Sequence, residues 1–198
     1  MPHEVHHTRN PFATYAVAPT GVTFESQEEG EKIILLLRQH VIVLIPPIFV
    51  IGFLLVLPLF VAPVLNFLRI DLENFLSEIQ ILLLTVSWYL LVFAFAVYRF
   101  IFWYFNIYIL TNERIIDFDF RGILHKQSSF AKLMQIEDVS PKMIGFFSTF
   151  FNYGDIFIQT AGEQREFDFL KVPRPDQVAQ RILEEVRLEE GEEPGKIE

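Results

Sequence analysis

Residues Ile79 to Ile116 decide the fold of this chain, because an apolar segment there runs directly into strand-like sequence. The first part, IQILLLTVSWYLLVFAFAVY (79–98), has only Thr85 and Ser87 as small polar residues and is long enough to cross a bilayer core of roughly 30 Å. After RFIFWYF (99–105) the chain continues as NIYILTNERIID, which is typical of a strand, a tight turn and a second strand. The sequence therefore predicts a membrane span joined without a linker to a β-domain.

A second apolar segment precedes this stretch. Residues 41–68 carry no charge and contain Pro46, Pro47, Pro58 and Pro63, which should kink a helix but are tolerated in membranes when neighbours satisfy the freed carbonyls. We predict a two-helix transmembrane hairpin with spans at about 41–66 and 79–103. Residues 28–40 are interpreted either as a helix on the membrane surface or as the first turns of the span, so the predicted anchor covers 27–105.

The flanking charges predict the orientation of the hairpin. Arg69 is the only basic residue in the loop between the spans, whereas basic residues are frequent on both outer sides: Lys32, Arg38, Arg99, Arg114, Arg121, Lys126 and Lys132. The positive-inside rule then places both termini and the soluble domain in the cytoplasm of a multi-pass cell-membrane protein. Residues 1–26 have scattered Pro and Gly and no apolar leader, so we expect a flexible tail and insertion directed by the first span.

The soluble part is predicted over 106–187 as antiparallel strands followed by one helix. Alternating segments favour strands, and residues 176–188 carry Val178, Ile182, Leu183 and Val186 at helical spacing. The predicted fold class is α+β, in which the hairpin is followed by a β-barrel or sandwich capped by a C-terminal α-helix. Residues 188–198 are predicted to be an acidic disordered tail.

A phenylalanine-rich segment, MIGFFSTFFNY (143–153), interrupts the strands. It either fills the core of a small barrel, which needs large side chains, or forms an exposed surface that docks onto lipid. Because a small barrel needs large side chains to fill its interior, we favour the interpretation of this segment as core.

Composition narrows the function classes. A net charge of −9 argues against nucleic acid, and the absence of cysteine excludes thiolate chemistry and disulfides. Metalloprotease, nucleophile-elbow, phosphate-binding and dinucleotide-binding motifs are missing from the sequence, and His3, His6 and His7 lie in the predicted tail without a fixed partner. We therefore expect no enzyme activity, no cofactor and no metal.

The ordered set of segments resembles bacterial pleckstrin-homology-like (PH-like) membrane proteins of the YdbS type. The resemblance covers residues 30–187 and rests on motifs in this order: GEKIILLLRQH before a proline-containing span, a second span, YILTNERII, RGIL, GDIFIQT, EFDFL and a final helix after KVPRP. It implies a PH-like fold, a strongly bent antiparallel sheet closed at one end by the C-terminal helix, and no enzyme activity.

Two functions remain open after this resemblance, and a membrane-bound enzyme or a transporter subunit is a less favoured third. The preferred one is a non-enzymatic interaction or scaffolding module, whose partners are the bilayer and other membrane proteins or a second copy of the chain. The alternative is recognition of anionic lipid headgroups, for which the basic residues around two predicted turns are the candidate contacts: Arg114, Arg121, His125 and Lys126.

Overall fold

In a computed structural model the chain is described over residues 12–70, 75–120, 126–161 and 166–191. It forms two compact units, a discontinuous domain (residues up to Val41 together with Tyr104 onwards) and a helical unit (Ile42–Trp103). The elements in chain order are β1 (Tyr15–Val17), β2 (Ile33–Arg38), α1 (Ile45–Phe67), α2 (Glu78–Phe105), β3 (Ile107–Thr111), β4 (Arg114–Phe120), β5 (Lys126–Lys132), β6 (Ile136–Lys142), α3 (Phe146–Phe151), β7 (Tyr153–Thr160), β8 (Glu166–Pro173) and α4 (Pro175–Glu189).

The strands form two antiparallel sheets. One has five strands in the order β1-β2-β3-β4-β5, and the other has three in the order β6-β7-β8. The predicted α+β class with a C-terminal helix is confirmed, and the strands on either side of the turn at Asn112 lie where the sequence predicts them. The barrel alternative is wrong, because the strands of the described ranges stay in two separate sheets.

Strand β2 corrects the interpretation of residues 28–40. The segment is neither a surface helix nor the start of a span, because β2 pairs antiparallel with β3. Its two faces are both covered: Leu35 and Leu37 lie in the main core, whereas Ile33 and Leu36 lie in a second cluster on the opposite face. A strand buried on both faces is a continuous apolar run, and such a run resembles the beginning of a membrane helix.

The residues before β2 are also part of the domain. Strand β1 pairs with β2, and Ala13 and Phe24 pack against the second cluster. The predicted flexible tail is therefore wrong for residues 12–26, while residues 1–11 lie outside the described ranges. The predicted domain start at 106 is wrong as well, because the folded domain includes the chain on both sides of the helical unit.

The main core lies between the two sheets and α4. Phe167, Phe169, Ile156 and Ile158 come from the three-stranded sheet and are at most 2% exposed. Helix α4 adds Val178, Ala179, Ile182 and Val186. This confirms the predicted amphipathic spacing for Val178, Ile182 and Val186, whereas Leu183 is 37% exposed and lies off the buried face. The predicted disordered tail is wrong for Leu188 and Glu189, which belong to α4, and it stays a prediction over residues 192–198, which are outside the described ranges.

Helices α1 and α2 are long and apolar enough to cross a membrane, judged by length and composition. A single turn of 3₁₀-helix, Val41–Leu44, leads into α1. Pro58 has no N–H to bond the Leu54 carbonyl one turn earlier, and the Trp88 indole of α2 donates to that oxygen at 2.9 Å. The neighbouring helix thus satisfies a carbonyl that the proline leaves open.

Candidate functional site

The chain crosses between the domain and the helical unit at two neighbouring points. Strand β2 ends at Arg38 and β3 begins at Ile107, and these two residues face each other in the register of the sheet. Gln39 and His40 separate β2 from the helical turn that begins at Val41, and Asn106 alone separates α2 from β3. The two crossings are therefore short and lie side by side.

Arg38 holds the two crossings together. Its Nε donates to the Tyr104 carbonyl at 3.0 Å, a terminal nitrogen donates to the Ala13 carbonyl at 3.0 Å, and the guanidinium lies 4.5 Å from the centre of the Tyr104 ring. The residue is 7% exposed, and this burial lowers its pKa from the usual range. Arginine nevertheless keeps its charge in proteins, so the contacts are charge-assisted.

His40 fixes the first crossing to the three-stranded sheet. Its backbone N–H donates to the Lys171 carbonyl at 2.7 Å, and its ring stacks on Tyr153 with the ring centres 5.5 Å apart. Burial lowers the pKa of His40, which favours the neutral imidazole. The stacking brings the start of β7 next to the point where the chain leaves the domain.

Helix α3 ends two residues before Tyr153 and exposes its aromatic side chains. Its sequence, FFSTFF, places four phenylalanines on one stripe of the helix and turns Ser148 inward, where its hydroxyl donates to the Ile144 carbonyl at 2.8 Å. We call the exposed stripe the phenylalanine face: Phe146 (76% exposed), Phe147 (64%), Phe150 (70%) and Phe151 (43%). The interpretation of this segment as core is therefore wrong.

The ends of the flanking strands determine the position of α3. Gly154 approaches the end of β6 so closely that a Cβ there would lie 2.6 Å from the Lys142 carbonyl oxygen. Asn152 ends the helix in the left-handed region at φ 51°, and its carbonyl accepts from the Arg174 N–H at 2.9 Å. These contacts keep α3 at the end of the domain where the chain crosses.

The predicted headgroup contact Arg114 is engaged inside the domain. Its Nε and one terminal nitrogen donate to the two Glu31 carboxylate oxygens, both at 2.9 Å, and the terminal nitrogen also donates to the Ser26 carbonyl at 2.6 Å. Thr111 donates its hydroxyl to the same carboxylate at 2.8 Å. Arg114 thus ties the segment before β2 to the β3–β4 hairpin.

The pKa shifts of Glu31 and Arg114 are those of an ion pair that stabilises the fold. Burial acts to raise the pKa of Glu31, but hydrogen bonds from Arg114, the Glu28 amide and Thr111 outweigh it and lower the pKa below the usual 4.5. The hydrogen bond to Glu31 raises the pKa of Arg114. Nothing in the local sequence around Arg114 could reveal this partner, because Glu31 lies 83 residues earlier.

A cleft of about 450 Å³ adjoins this pair, next to the edge strand β5. Three carboxylates and two cations line it, together with exposed Phe130 (62%) and Met134 (68%): Glu28, Glu113, Glu189, Arg114 and Lys132. A cleft with more acidic than basic groups does not favour a phosphate. Of the other predicted headgroup contacts, Lys126 begins β5, whereas Arg121 and His125 lie outside the described ranges.

Comparison with known proteins identifies the family. The sequence model of a family described as Bacterial PH domain matches residues 41–186, well over half of the chain. No curated protein matches the chain. The chain is also similar to the crystal structure, at 2.00 Å resolution, of a DUF1696 family protein with a pleckstrin-homology domain from Shewanella loihica PV-4. The two sequences are 16% identical, and the TM-score is 0.31. The match covers 39% of this chain and 67% of that chain. The assignment depends on the family model alone: the chain belongs to the bacterial PH domain family.

Proposed function

We propose that this protein is a membrane-tethered, non-enzymatic interaction module. In this proposal α1 and α2 cross the cell membrane as a hairpin and hold the PH-like domain at the cytoplasmic surface. The observation that carries it is the insertion of the hairpin between the paired strands β2 and β3. The connections between the domain and the hairpin are only Gln39 and His40 on one side and Asn106 on the other, so a hairpin that crosses the membrane would keep the domain close to the membrane surface.

The surface that we propose for a partner is the edge of β5 with its adjoining cleft. Strand β5 has no further strand on its outer side within the described ranges, and an open edge can accept an extended segment by strand addition. Phe130 and Met134 offer exposed apolar area there, and the carboxylates of the cleft favour a segment that carries a basic side chain.

Site-specific photocrosslinking in native membranes tests this surface. A benzophenone amino acid replaces Phe130 in the full chain, and the same group at Gln180, exposed on α4, serves as the control. We expect a discrete protein adduct from position 130 that is absent from position 180 and is lost with Met134→Asp. No adduct from position 130, or the same adducts from both positions, would contradict the proposal.

Recognition of anionic headgroups is the second candidate. It is supported by Arg121, His125 and Lys126, which lie within six residues of one another in the sequence. Arg114 contributes little because Glu31 binds it. If this candidate is correct, the reconstituted full chain should enrich phosphatidylglycerol around the domain, and the enrichment should decline with salt and with the replacement of all three residues by glutamine.

A further inference from the structure

We propose that the phenylalanine face of α3 inserts into the interface of the same bilayer that the hairpin crosses, as a third attachment of the domain. This inference depends on the proposed membrane crossing and adds a lipid-binding surface to it. It concerns α3 and not the β-strand turns at which the headgroup contacts are predicted.

The first argument is the exposure of the face. Phe146 and Phe150 stack on each other with ring centres 5.9 Å apart, and Phe147 and Phe151 extend the same stripe. Ile144, 68% exposed, precedes it. Isolated exposed apolar residues are ordinary, but a contiguous patch of this kind indicates a binding surface.

The second argument is the position of the face within the domain. Tyr153, two residues beyond α3, stacks on His40, and His40 is bonded to Val41, the first residue of the apolar helical turn. If α1 crosses a bilayer, the chain reaches the lipid within a few residues of this stacked pair. The phenylalanine face then lies at the end of the domain that is nearest to the lipid.

The third argument is charge. The chain as a whole carries −9, yet the strand ends beside α3 supply three exposed basic residues, Lys142, Lys171 and Arg174, against the acidic Asp155. Asp155 accepts the Lys171 N–H at 2.7 Å. Aromatic side chains bordered by basic residues match the acyl boundary and the anionic headgroups of a bacterial-type membrane, so the lipid surface is the occupant to which we commit.

Spin-label depth measurements on the full chain test the inference. The chain has no cysteine, so single nitroxide labels can be attached at Phe150→Cys, at Phe147→Cys as a second position on the face, and at Gln180→Cys as an exposed control on α4. The protein is reconstituted in phosphatidylethanolamine–phosphatidylglycerol vesicles, and accessibility to oxygen and to a water-soluble nickel complex gives the depth. We expect the labels on α3 about 5–10 Å below the phosphates and the Gln180 label in water.

A fourth label separates this inference from the proposed function. Leu91 is 69% exposed near the middle of α2, so a label at Leu91→Cys reports whether α2 crosses the bilayer. If the Leu91 label lies deep in the bilayer and both α3 labels lie in water, the insertion of α3 into lipid is overturned and the proposed membrane-crossing hairpin stands. A Leu91 label in water would overturn both. Shielding of the α3 labels that depends on protein concentration and not on lipid would identify a second copy as the occupant and would also overturn the proposal.

Discussion

Glu31 and Arg114 form an ion pair between the segment that precedes the hairpin and the segment that follows it. The Glu31 side chain is fully buried and that of Arg114 is 12% exposed, so the ion pair is largely screened from water. Replacing one partner of a buried pair leaves the other charge uncompensated, which typically costs 3–5 kcal/mol. The pair therefore contributes to holding the segment before the hairpin onto the segment after it.

We predict that Glu31→Gln lowers the free energy of unfolding of the domain by about 3 kcal/mol at pH 7 and removes a pH dependence. The folded-state pKa of Glu31 is lowered, so its carboxylate stabilises the fold above the unfolded pKa. That stability is lost as the pH falls through the folded pKa. Hydrogen exchange of the β3–β4 amides in the full chain, corrected for intrinsic rates, measures both effects.

Glu29→Gln is the matched control for this prediction, because Glu29 is exposed in the same loop. It should leave both the exchange protection and its pH dependence unchanged. Equal protection in Glu31→Gln and the unmodified protein across the acid range would mean that the pair does not stabilise the domain.

At the scale of elements, the hairpin depends on a bond between its two helices. Trp88→Phe should destabilise it by about 1–2 kcal/mol, because the Leu54 carbonyl loses the indole donor. Pro58→Ala restores an N–H that can bond the same carbonyl within α1. In the Pro58→Ala background Trp88→Phe should therefore cost less. Equilibrium unfolding in mixed detergent micelles, followed by far-UV circular dichroism for all four proteins, measures the double-mutant cycle. Equal costs in both backgrounds would show that the two groups are not coupled.

The elements differ in how well the sequence predicts them, and the reason is physical. Helix α4 and strands β7 and β8 bury one face, so their periodicity is visible in the sequence. Strand β2 buries both faces and has its partner β3 beyond the hairpin, so in the sequence its apolar run merges with that of the following helix. In α3 the four phenylalanines were expected inside, because composition cannot distinguish a residue that fills a core from one that forms a surface.

The candidate site was predictable to the same limited extent. The sequence identifies Arg114 as a basic residue beside a turn, but its role depends on Glu31, which is distant in the chain. The phenylalanine face could have been recognised from its spacing, since FFxxFF places all four rings on one side of a helix. The register of β2 and β3 is needed to show that the two connections between the domain and the helical unit lie side by side.

At the scale of the whole molecule, the domain is formed by two separated segments of chain. A fragment of residues 106–198 lacks β1 and β2, and with them Leu35 and Leu37 of the main core. We predict that this fragment does not fold, whereas a chain in which a short Gly/Ser linker joins residue 41 to residue 104 does, because Arg38 and Ile107 are paired at the crossing. Dispersion of backbone amide NMR signals distinguishes the two, and a well-dispersed spectrum from the short fragment would contradict the prediction.

The most direct test of the account is the membrane topology of single cysteines introduced into this cysteine-free chain. Glu29→Cys lies before the hairpin, Ser77→Cys lies between its helices and Gln180→Cys lies after it, and all three positions are exposed. In intact cells a membrane-impermeant maleimide should label only Ser77→Cys, and the other two should react only after permeabilisation. Labelling of Glu29→Cys and Gln180→Cys from opposite sides, or of Ser77→Cys from the same side as both, would contradict a domain built around an inserted membrane hairpin.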